Sequence, residues 1–204
     1  MINETIFVTN TYEKIAKEFS DTRYNVWNFV KKFMKDKQKL YGIDIGCGNG
    51  KNMIHLNMIG IDNCKGFVNI CNTRHKDVIL GDICALPFKS ETFDYTISIA
   101  TLHHLSSEER RIKCVYEMIR VIKKNGEGVI SVWSHEFQTK HKFELGDNFV
   151  PWKSINVEIK PELRYYYIMN FDMFTNLMEK FKNKIKVISI ENEKGNWILH
   201  YKKI

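Results

Sequence analysis

The segment YGIDIGCGNG, residues 41–50, decides the fold. Its first half is a short apolar run that predicts a buried β-strand. Its second half places glycines at Gly46, Gly48 and Gly50, where a chain without Cβ atoms can turn tightly and approach a ligand closely. The G-x-G-x-G spacing after Asp44 differs from the G-x-G-x-x-G of dinucleotide-binding enzymes. We therefore expect a strand that ends in a ligand-binding loop.

Two further apolar runs are also followed by an acidic residue. Residues 58–62 read as a strand that ends in Asp62, and residues 77–80 read as a strand that precedes Asp82. A nucleoside-binding fold uses a carboxylate at the end of its second strand to accept hydrogen bonds from ribose hydroxyls. Three such signals on three successive strands predict a nucleoside site at one edge of a parallel sheet.

Periodicity places the other elements around these three strands. Helices are expected over 12–19, 24–34, 64–75, 106–123 and 171–181, strands over 93–100 and 128–133, and a terminal β-hairpin over 186–190 and 196–201. Strands that alternate with helices indicate an α/β fold. We expect one domain, 1–204, with a helical N-terminal extension, 1–40, and a loop or lid without a clear period, 134–162.

The net charge of +7 is unevenly distributed along the 204 residues. Residues 1–40 carry 8 Lys and Arg against 5 Asp and Glu, residues 41–136 carry 11 against 11, and residues 137–204 carry 12 against 8. The excess of +3 and +4 therefore lies in the two flanks. This pattern suits a catalytic core whose margins meet a polyanion, although lysine-rich surfaces that only keep a protein soluble have the same composition.

Cysteine usage and hydropathy narrow the class of protein. The five cysteines are odd in number and form no C-x-x-C pair, which argues against a disulfide framework and against a structural zinc site, so we expect no metal in this chain. No run approaches the roughly 18 apolar residues of a membrane span, and the N-terminus lacks a secretory pattern. We expect a reducing compartment, the cytoplasm or the nucleus.

Six short segments along the chain belong together as a set. They are FSDTRYNVW (19–27), TLHHL (101–105), EERR (108–111), FVPW (149–152), RYY (164–166) and GNW (195–197). With the glycine segment, this set resembles the eukaryotic tRNA wobble-uridine carboxymethyl methyltransferases, from about Tyr12 to Lys202. The resemblance implies a Rossmann-like class I methyltransferase, with a mainly parallel seven-stranded sheet, a C-terminal antiparallel hairpin and helices on both faces.

The resemblance also implies S-adenosylmethionine as the cofactor and esterification of the carboxymethyl group on a wobble uridine of tRNA. In the family the glycine loop cradles the methionine and ribose parts, and the third acid faces the adenine. The cofactor-binding residues carried over are Asp44, Gly46, Cys47, Gly48, Gly50, Asp62, Asn63, Asp82, Ile83 and Ala100.

Substrate contacts are expected from residues beyond this loop. Arg23 can grip the carboxylate because a guanidinium matches it geometrically, or it can form a surface salt bridge. His104 can orient the substrate, and Trp133 can stack on uracil or pack in the core.

The remaining substrate-binding candidates are Tyr24, His103, Arg164 and Tyr165. His103 can equally be a packing residue. Arg164 and Tyr165 can close over the base or bind phosphate.

The strand from Asp77 to Leu80 is expected at a sheet edge, where an apolar strand invites a partner. The resemblance implies a small zinc-binding activator protein there, with the zinc held by the partner. Met58, Ile59, Phe67 and Ile70 would then contribute to the interface.

Two rival functions stay open. One is a methyltransferase that acts on a small molecule such as a quinone ring, and the other is a non-catalytic binding subunit.

Overall fold

The structure is a computed structural model that describes residues 2–137, 142–154 and 161–204. The helices are α1 (Asn10–Thr22), α2 (Asn28–Met34), α3 (Lys65–Thr73), α4 (Glu108–Val121) and α5 (Phe171–Glu179). The strands are β1 (Gly42–Ile45), β2 (Met58–Asp62), β3 (Val78–Leu80), β4 (Phe93–Ile99), β5 (Ile122–Trp133), β6 (Gly146–Trp152), β7 (Glu162–Ile168), β8 (Ile185–Glu193) and β9 (Asn196–Lys203).

The main sheet has seven strands in the order β3-β2-β1-β4-β5-β9-β8. Strands β1 to β5 pair in parallel, whereas β9 pairs antiparallel with both β5 and β8. This confirms the predicted fold, including the antiparallel hairpin at the C-terminal end. The order reverses between β1 and β4, which creates a crevice at the carboxyl ends of the strands.

Helices cover both faces of this sheet, as predicted. Alternate residues of a strand point to opposite faces. On β5, Ile130 packs in a core with α4 and α5, whereas its neighbour Val129 packs in a second core with Val30 and Met34 of α2. The sheet is therefore buried between two apolar layers, and its strand ends are held in a fixed arrangement.

A second sheet forms where the sequence predicted a loop. Residues 134–162 were expected to be a loop or lid, but β6 lies within them and pairs antiparallel with β7 from Gly146↔Ile168 to Trp152↔Glu162. The strand escapes local prediction because its polar start, Gly146 to Asn148, shows no alternation, and its pairing partner lies further along the chain. Residues 138–141 and 155–160 of the expected lid lie outside the described residues.

Several helix boundaries differ from prediction, and contacts in the structure explain two of them. The second helix begins at Asn28 rather than at residue 24, because the Asn49 amide donates to the Arg23 carbonyl at 2.8 Å and holds this part of the chain extended. The fourth helix ends at Val121, because Ile122 pairs with Phe93 and joins β5.

The N-terminal extension is attached to the core by buried contacts. A π-helical turn, Thr5–Thr9, leads into α1, which packs on α3. The Glu13 carboxylate accepts from the backbone N–H groups of Lys65 and Gly66, and so caps α3, which has no cap of its own. This contact fixes α1 beside the crevice.

The described residues contain no helix long and apolar enough to cross a membrane. All five cysteines are buried and unpaired.

Candidate active site

One cavity of about 950 Å³ opens at the carboxyl ends of the parallel strands. Each of the first five strands contributes a residue at or just after its end, and the N-terminal extension closes one side. The residues contributed by the strands include Gly46, Gly48, Asp62, Ile83, Ala100 and Trp133. The volume lies in the range of small-molecule sites.

The three loop glycines all have positive φ, between +53° and +75°, but they meet different surroundings. A Cβ on Gly46 would lie 2.1 Å from the Thr101 side chain, so this glycine permits a close approach of two chain segments. A Cβ on Gly48 would meet nothing within 4 Å, because it would point into open space at the cavity. The loop therefore leaves an empty cradle at Gly48.

Asp44 and Gly50, which were predicted to contact the cofactor, do not line the cavity. Asp44 is buried beneath the loop, and its Oδ2 has no hydrogen-bond partner. Burial, followed by the neighbouring Asp62, raises the pKa of Asp44 to about 8. A Cβ on Gly50 would lie 2.7 Å from the Lys76 side chain, behind the loop. Both residues therefore support the loop from below.

Asp62 occupies the position predicted for a ribose acceptor. Its Oδ2 accepts from the Gly48 N–H at 2.8 Å and its Oδ1 from the Cys64 N–H at 2.9 Å. Burial raises the pKa of Asp62, although these N–H groups oppose the shift. A carboxylate offers about four acceptor positions, so acceptor capacity remains for a ligand.

Asp82 lines the cavity but is already in an ion pair. Its carboxylate accepts from the Cys84 N–H at 2.9 Å and from the Arg110 guanidinium at 3.1 and 3.3 Å. Arg110 also pairs with Glu4 at 2.9 Å. Burial raises the pKa of Asp82, but these hydrogen bonds outweigh it, so the pKa lies below its usual value.

The other predicted cofactor residues line the cavity as well. The Asn63 amide donates to Thr9 of the N-terminal extension at 3.1 Å. Ala100, with a φ of +56°, has its N–H bonded to Ser131. Cys47 and Ile83 also reach the wall.

A chain of hydrogen bonds crosses the acceptor side of the cavity. His104 Nδ1 lies 2.8 Å from the Tyr165 carbonyl, and its Nε2 lies 3.2 Å from the Tyr12 hydroxyl. Tyr12 contacts the Tyr166 hydroxyl at 3.2 Å, which accepts from Arg164 Nη1 at 3.0 Å.

The groups at the two ends of this series of hydrogen bonds determine which atom is the donor in each bond. A carbonyl only accepts, so His104 Nδ1 carries the proton and Nε2 accepts from Tyr12. Tyr12 then accepts from Tyr166. Burial lowers the pKa of His104 to about 4, so the ring is neutral near pH 7, as this direction requires. Both ring nitrogens of His104 are therefore engaged within the protein.

The neighbouring His103 is fully buried. Its Nδ1 accepts from the Trp133 N–H at 3.0 Å, so Nε2 carries the proton, and Nε2 has no hydrogen-bond partner. Burial and then His104 lower the pKa of His103 well below its usual value. The ring of Trp133 stacks on Tyr166, with centroids 4.3 Å apart and planes 14° apart. These rings form a rigid wall.

The other predicted substrate residues divide into two groups. Arg23, Tyr24 and Arg164 line the cavity, and Tyr24 is 73% exposed. Arg23 forms no salt bridge with any residue the structure describes, and its Nη1 donates to the carbonyl and the hydroxyl of Thr22 at 3.2 Å.

The side chain of Tyr165, which was predicted to bind the substrate, lies away from the cavity. Its ring is fully buried, its hydroxyl donates to Asp147 at 2.6 Å, and it does not line the cavity. Only its carbonyl reaches the site, through His104.

Sequence reasoning missed several residues of this wall. Tyr12 was recognised only as part of an apolar helix face, yet it bonds His104, which lies 92 residues further along the chain. Tyr166 was not among the predicted site residues. No local signal could have found either, because their roles depend on the docking of α1 and β7. The other missed wall residues include Phe19, Asn49, Lys51 and Arg110.

The comparisons with known proteins agree with this geometry. The family described as a methyltransferase domain matches residues 43–130. The tRNA (carboxymethyluridine(34)-5-O)-methyltransferase of Schizosaccharomyces pombe is 40% identical over 73% of this chain and 68% of its own length. The enzyme of the same name from Saccharomyces cerevisiae is 33% identical over 79% of this chain and 61% of its own length.

A solved complex between the Haloferax volcanii Trm112 methyltransferase activator and a putative methyltransferase contains the same fold. It matches with a TM-score of 0.70 and 12% identity, over 96% of each chain. Across the curated relatives, this chain spans from 22% to 83% of their length.

The fold and the glycine-framed cavity define a class I S-adenosylmethionine-dependent methyltransferase. Within that class the similarity extends well beyond the shared core to most of the chain. The protein belongs to the family of tRNA (carboxymethyluridine(34)-5-O)-methyltransferases.

Proposed function

We propose that this chain transfers the methyl group of S-adenosylmethionine to the carboxylate of 5-carboxymethyluridine at the tRNA wobble position, forming the methyl ester. The observation that carries the proposal is a single cavity that extends from the Gly48 cradle to the wall of His104 and Trp133. A methyl donor and an acceptor can therefore share one space. The names of the two yeast relatives support this choice of acceptor.

The residues present fit the cofactor. The open space at Gly48 accommodates a ligand against the backbone, and Asp62 retains acceptor capacity for ribose hydroxyls. Asp82 and Ile83 would border the adenine, and Ala100 the methionine part. When bound, the cofactor supplies an electrophilic methyl group on a positively charged sulfur.

The chain needs no general base for this reaction. A carboxylate has an ordinary pKa near 4, so it is already ionised and nucleophilic at pH 7. The low pKa of His104 and its two internal hydrogen bonds suit a residue that shapes the acceptor site rather than one that accepts a proton. Holding the acceptor in line can lower a barrier by roughly 7–11 kcal/mol. We therefore assign the wall a positioning role.

Within this function, Arg23 binds the acceptor carboxylate and Trp133 borders the uracil ring. Trp133 stacks on both Tyr166 and Phe143. The uracil ring therefore contacts a set of three stacked rings rather than a single indole. Tyr24, 73% exposed at the cavity mouth, is placed to meet the incoming tRNA.

The test is incubation of the protein with labelled cofactor and tRNA that carries carboxymethyluridine, followed by nucleoside mass spectrometry. We expect the methyl ester, and none from tRNA with an unmodified wobble uridine or with the Asp62→Ala variant. Methylation of a small quinone-like molecule but not of the tRNA would instead support the first rival function. Cofactor binding without any transfer would support the second.

We also propose a heterodimer with a small zinc-binding activator protein in the cytoplasm. β3 is the edge strand of the sheet, and its Leu80 is 53% exposed. The similarity in fold to a methyltransferase solved with an activator supports this proposal. Met58 and Phe67, expected at the interface, lie instead in the protein core, so the edge itself and the partly exposed Ile59 and Ile70 remain available.

A further inference from the structure

Arg164 is a buried cation without a counter-ion. The residue is 7% exposed and lines the cavity. Its Nη1 donates to the Tyr166 hydroxyl, and its Nε has no partner. It forms no ion pair with any residue in the described part of the chain. A guanidinium is always charged in proteins, and a buried charge is costly unless it is paired. Such a group is suited to bind an anion that is not part of the protein.

Arg23 lies beside the same indole. The guanidinium carbon of Arg164 is 5.1 Å from the centroid of the Trp152 ring, and that of Arg23 is 5.8 Å from it. Trp152 is held in place because its Nε1 donates to Glu18 at 2.8 Å. Both arginines also line the cavity, so an anion bound there would be attracted by two positive charges.

The nearby carboxylates are bonded to other groups: Glu18 accepts from the Trp152 indole N–H at 2.8 Å and from the Ser154 hydroxyl at 3.2 Å. Asp62 is bonded to two backbone N–H groups, and Asp82 is paired with Arg110. Arg110 and Arg120, by contrast, each have a carboxylate partner.

A second buried arginine provides a comparison. Arg111 is 5% exposed, lies 3.5 Å above the Tyr167 ring and donates to the Leu105 carbonyl. It does not line the cavity. Arg164 therefore differs from it in facing a ligand-sized space with an unused donor.

We propose that Arg164, together with Arg23, binds the carboxylate of the substrate, and that this pair makes the enzyme select the charged substrate over its neutral derivatives. The inference rests on the proposed function and deepens it. Esterification converts the carboxylate into an uncharged ester, so the product loses both charge-assisted contacts. The same two residues that hold the substrate therefore favour release of the product.

The test compares three anticodon stem-loop RNAs that differ only at the wobble uridine, which carries a carboxymethyl group, its methyl ester or its amide. Affinities are measured for the full chain, with and without the proposed activator. We expect the carboxymethyl RNA to bind roughly 30-fold or more tightly than either neutral RNA, as for a buried charged pair. Arg164→Met should abolish this preference, Arg164→Lys should retain part of it, and Arg111→Met should leave it unchanged.

Folding of each variant is checked by thermal unfolding and by cofactor affinity. If Arg164→Met does not fold, Arg164→Lys and Arg23→Met carry the same comparison. An unchanged preference in folded variants overturns the inference, as does a wild-type protein that forms the ester yet binds the three RNAs equally. A protein that forms no ester but shows an Arg164-dependent preference for the carboxylate sustains the anion site and refutes the proposed function.

Discussion

At Gly48 the backbone adopts a φ of +53° beside open space, whereas Gly50, with a φ of +71°, faces the Lys76 side chain. Both conformations disfavour any side chain, at a cost of roughly 1–2 kcal/mol. Only the first glycine lies on the cavity wall. Substitution of Gly48 therefore tests ligand binding, whereas substitution of Gly50 tests the stability of the loop.

We predict that Gly48→Ala lowers cofactor affinity at least tenfold, because its methyl group would enter the space left for the ligand. Stability should fall by about 1 kcal/mol. Gly50→Ala is the matched control, with a larger loss of stability and near-normal affinity in the folded protein. Calorimetric titration with S-adenosylhomocysteine and thermal unfolding measure both effects. Equal affinity losses in the two variants would contradict the assignment.

His104 gives stability a defined pH dependence. In the unfolded chain its pKa is near 6.5, whereas burial lowers it to about 4 in the folded protein. Between these pH values the unfolded state binds more protons than the folded state. The contribution of the neutral, buried His104 ring to the stability of the folded protein is therefore complete above pH 6.5 and is lost as pH falls toward 4.

We predict that wild-type protein loses about 2 kcal/mol more stability between pH 7 and pH 4.5 than the His104→Gln variant does. Urea unfolding at the two pH values measures the difference. Parallel losses in the two proteins would show that His104 does not titrate in this window.

Among the elements, the strands and helices with strong apolar periodicity were predictable. α1, α3, α5, the five parallel strands and the terminal hairpin were all identified from sequence. Short-range side-chain patterns determine these elements. β6 was not predictable, because its pairing with β7 depends on tertiary contact rather than on its own pattern.

The edge strand β3 leads to a prediction at this scale. Leu80→Lys should weaken binding of the activator protein at least tenfold, because a charge on an apolar edge opposes strand pairing. Val187→Lys is the control, since Val187 is 42% exposed on β8, the opposite edge of the same sheet. Co-purification and calorimetry measure binding, and cofactor affinity should stay unchanged in both. Loss of binding in the Val187 variant alone would place the partner at the other edge.

Across the whole molecule, the excess positive charge lies in the two flanks of the sequence rather than in its neutral centre. The N-terminal flank includes α1 and α2, which border the cavity, and Lys17, Lys31 and Lys32 are exposed on these elements. We expect a bound tRNA to contact this positively charged flank.

We predict that affinity for tRNA falls roughly tenfold or more between 50 and 200 mM salt, because each lysine–phosphate contact releases a counter-ion. Affinity for S-adenosylhomocysteine should change less than twofold over the same range. Filter binding and calorimetry compare the two ligands. A tRNA affinity that does not change with salt concentration would show that the flanks do not bind the tRNA backbone.

The sequence by itself predicted that the residues at the cofactor end of the cavity come together. The glycine loop, Asp62 and Asp82 each follow a strand, so local pattern and sheet geometry suffice to bring them together. Only the tertiary structure decided the acceptor side, where Tyr12, His104 and Arg164 meet from three distant parts of the chain. Their hydrogen bonds and their burial arise only after α1, β7 and the turn after β4 have packed against one another, and no spacing along the chain encodes that contact.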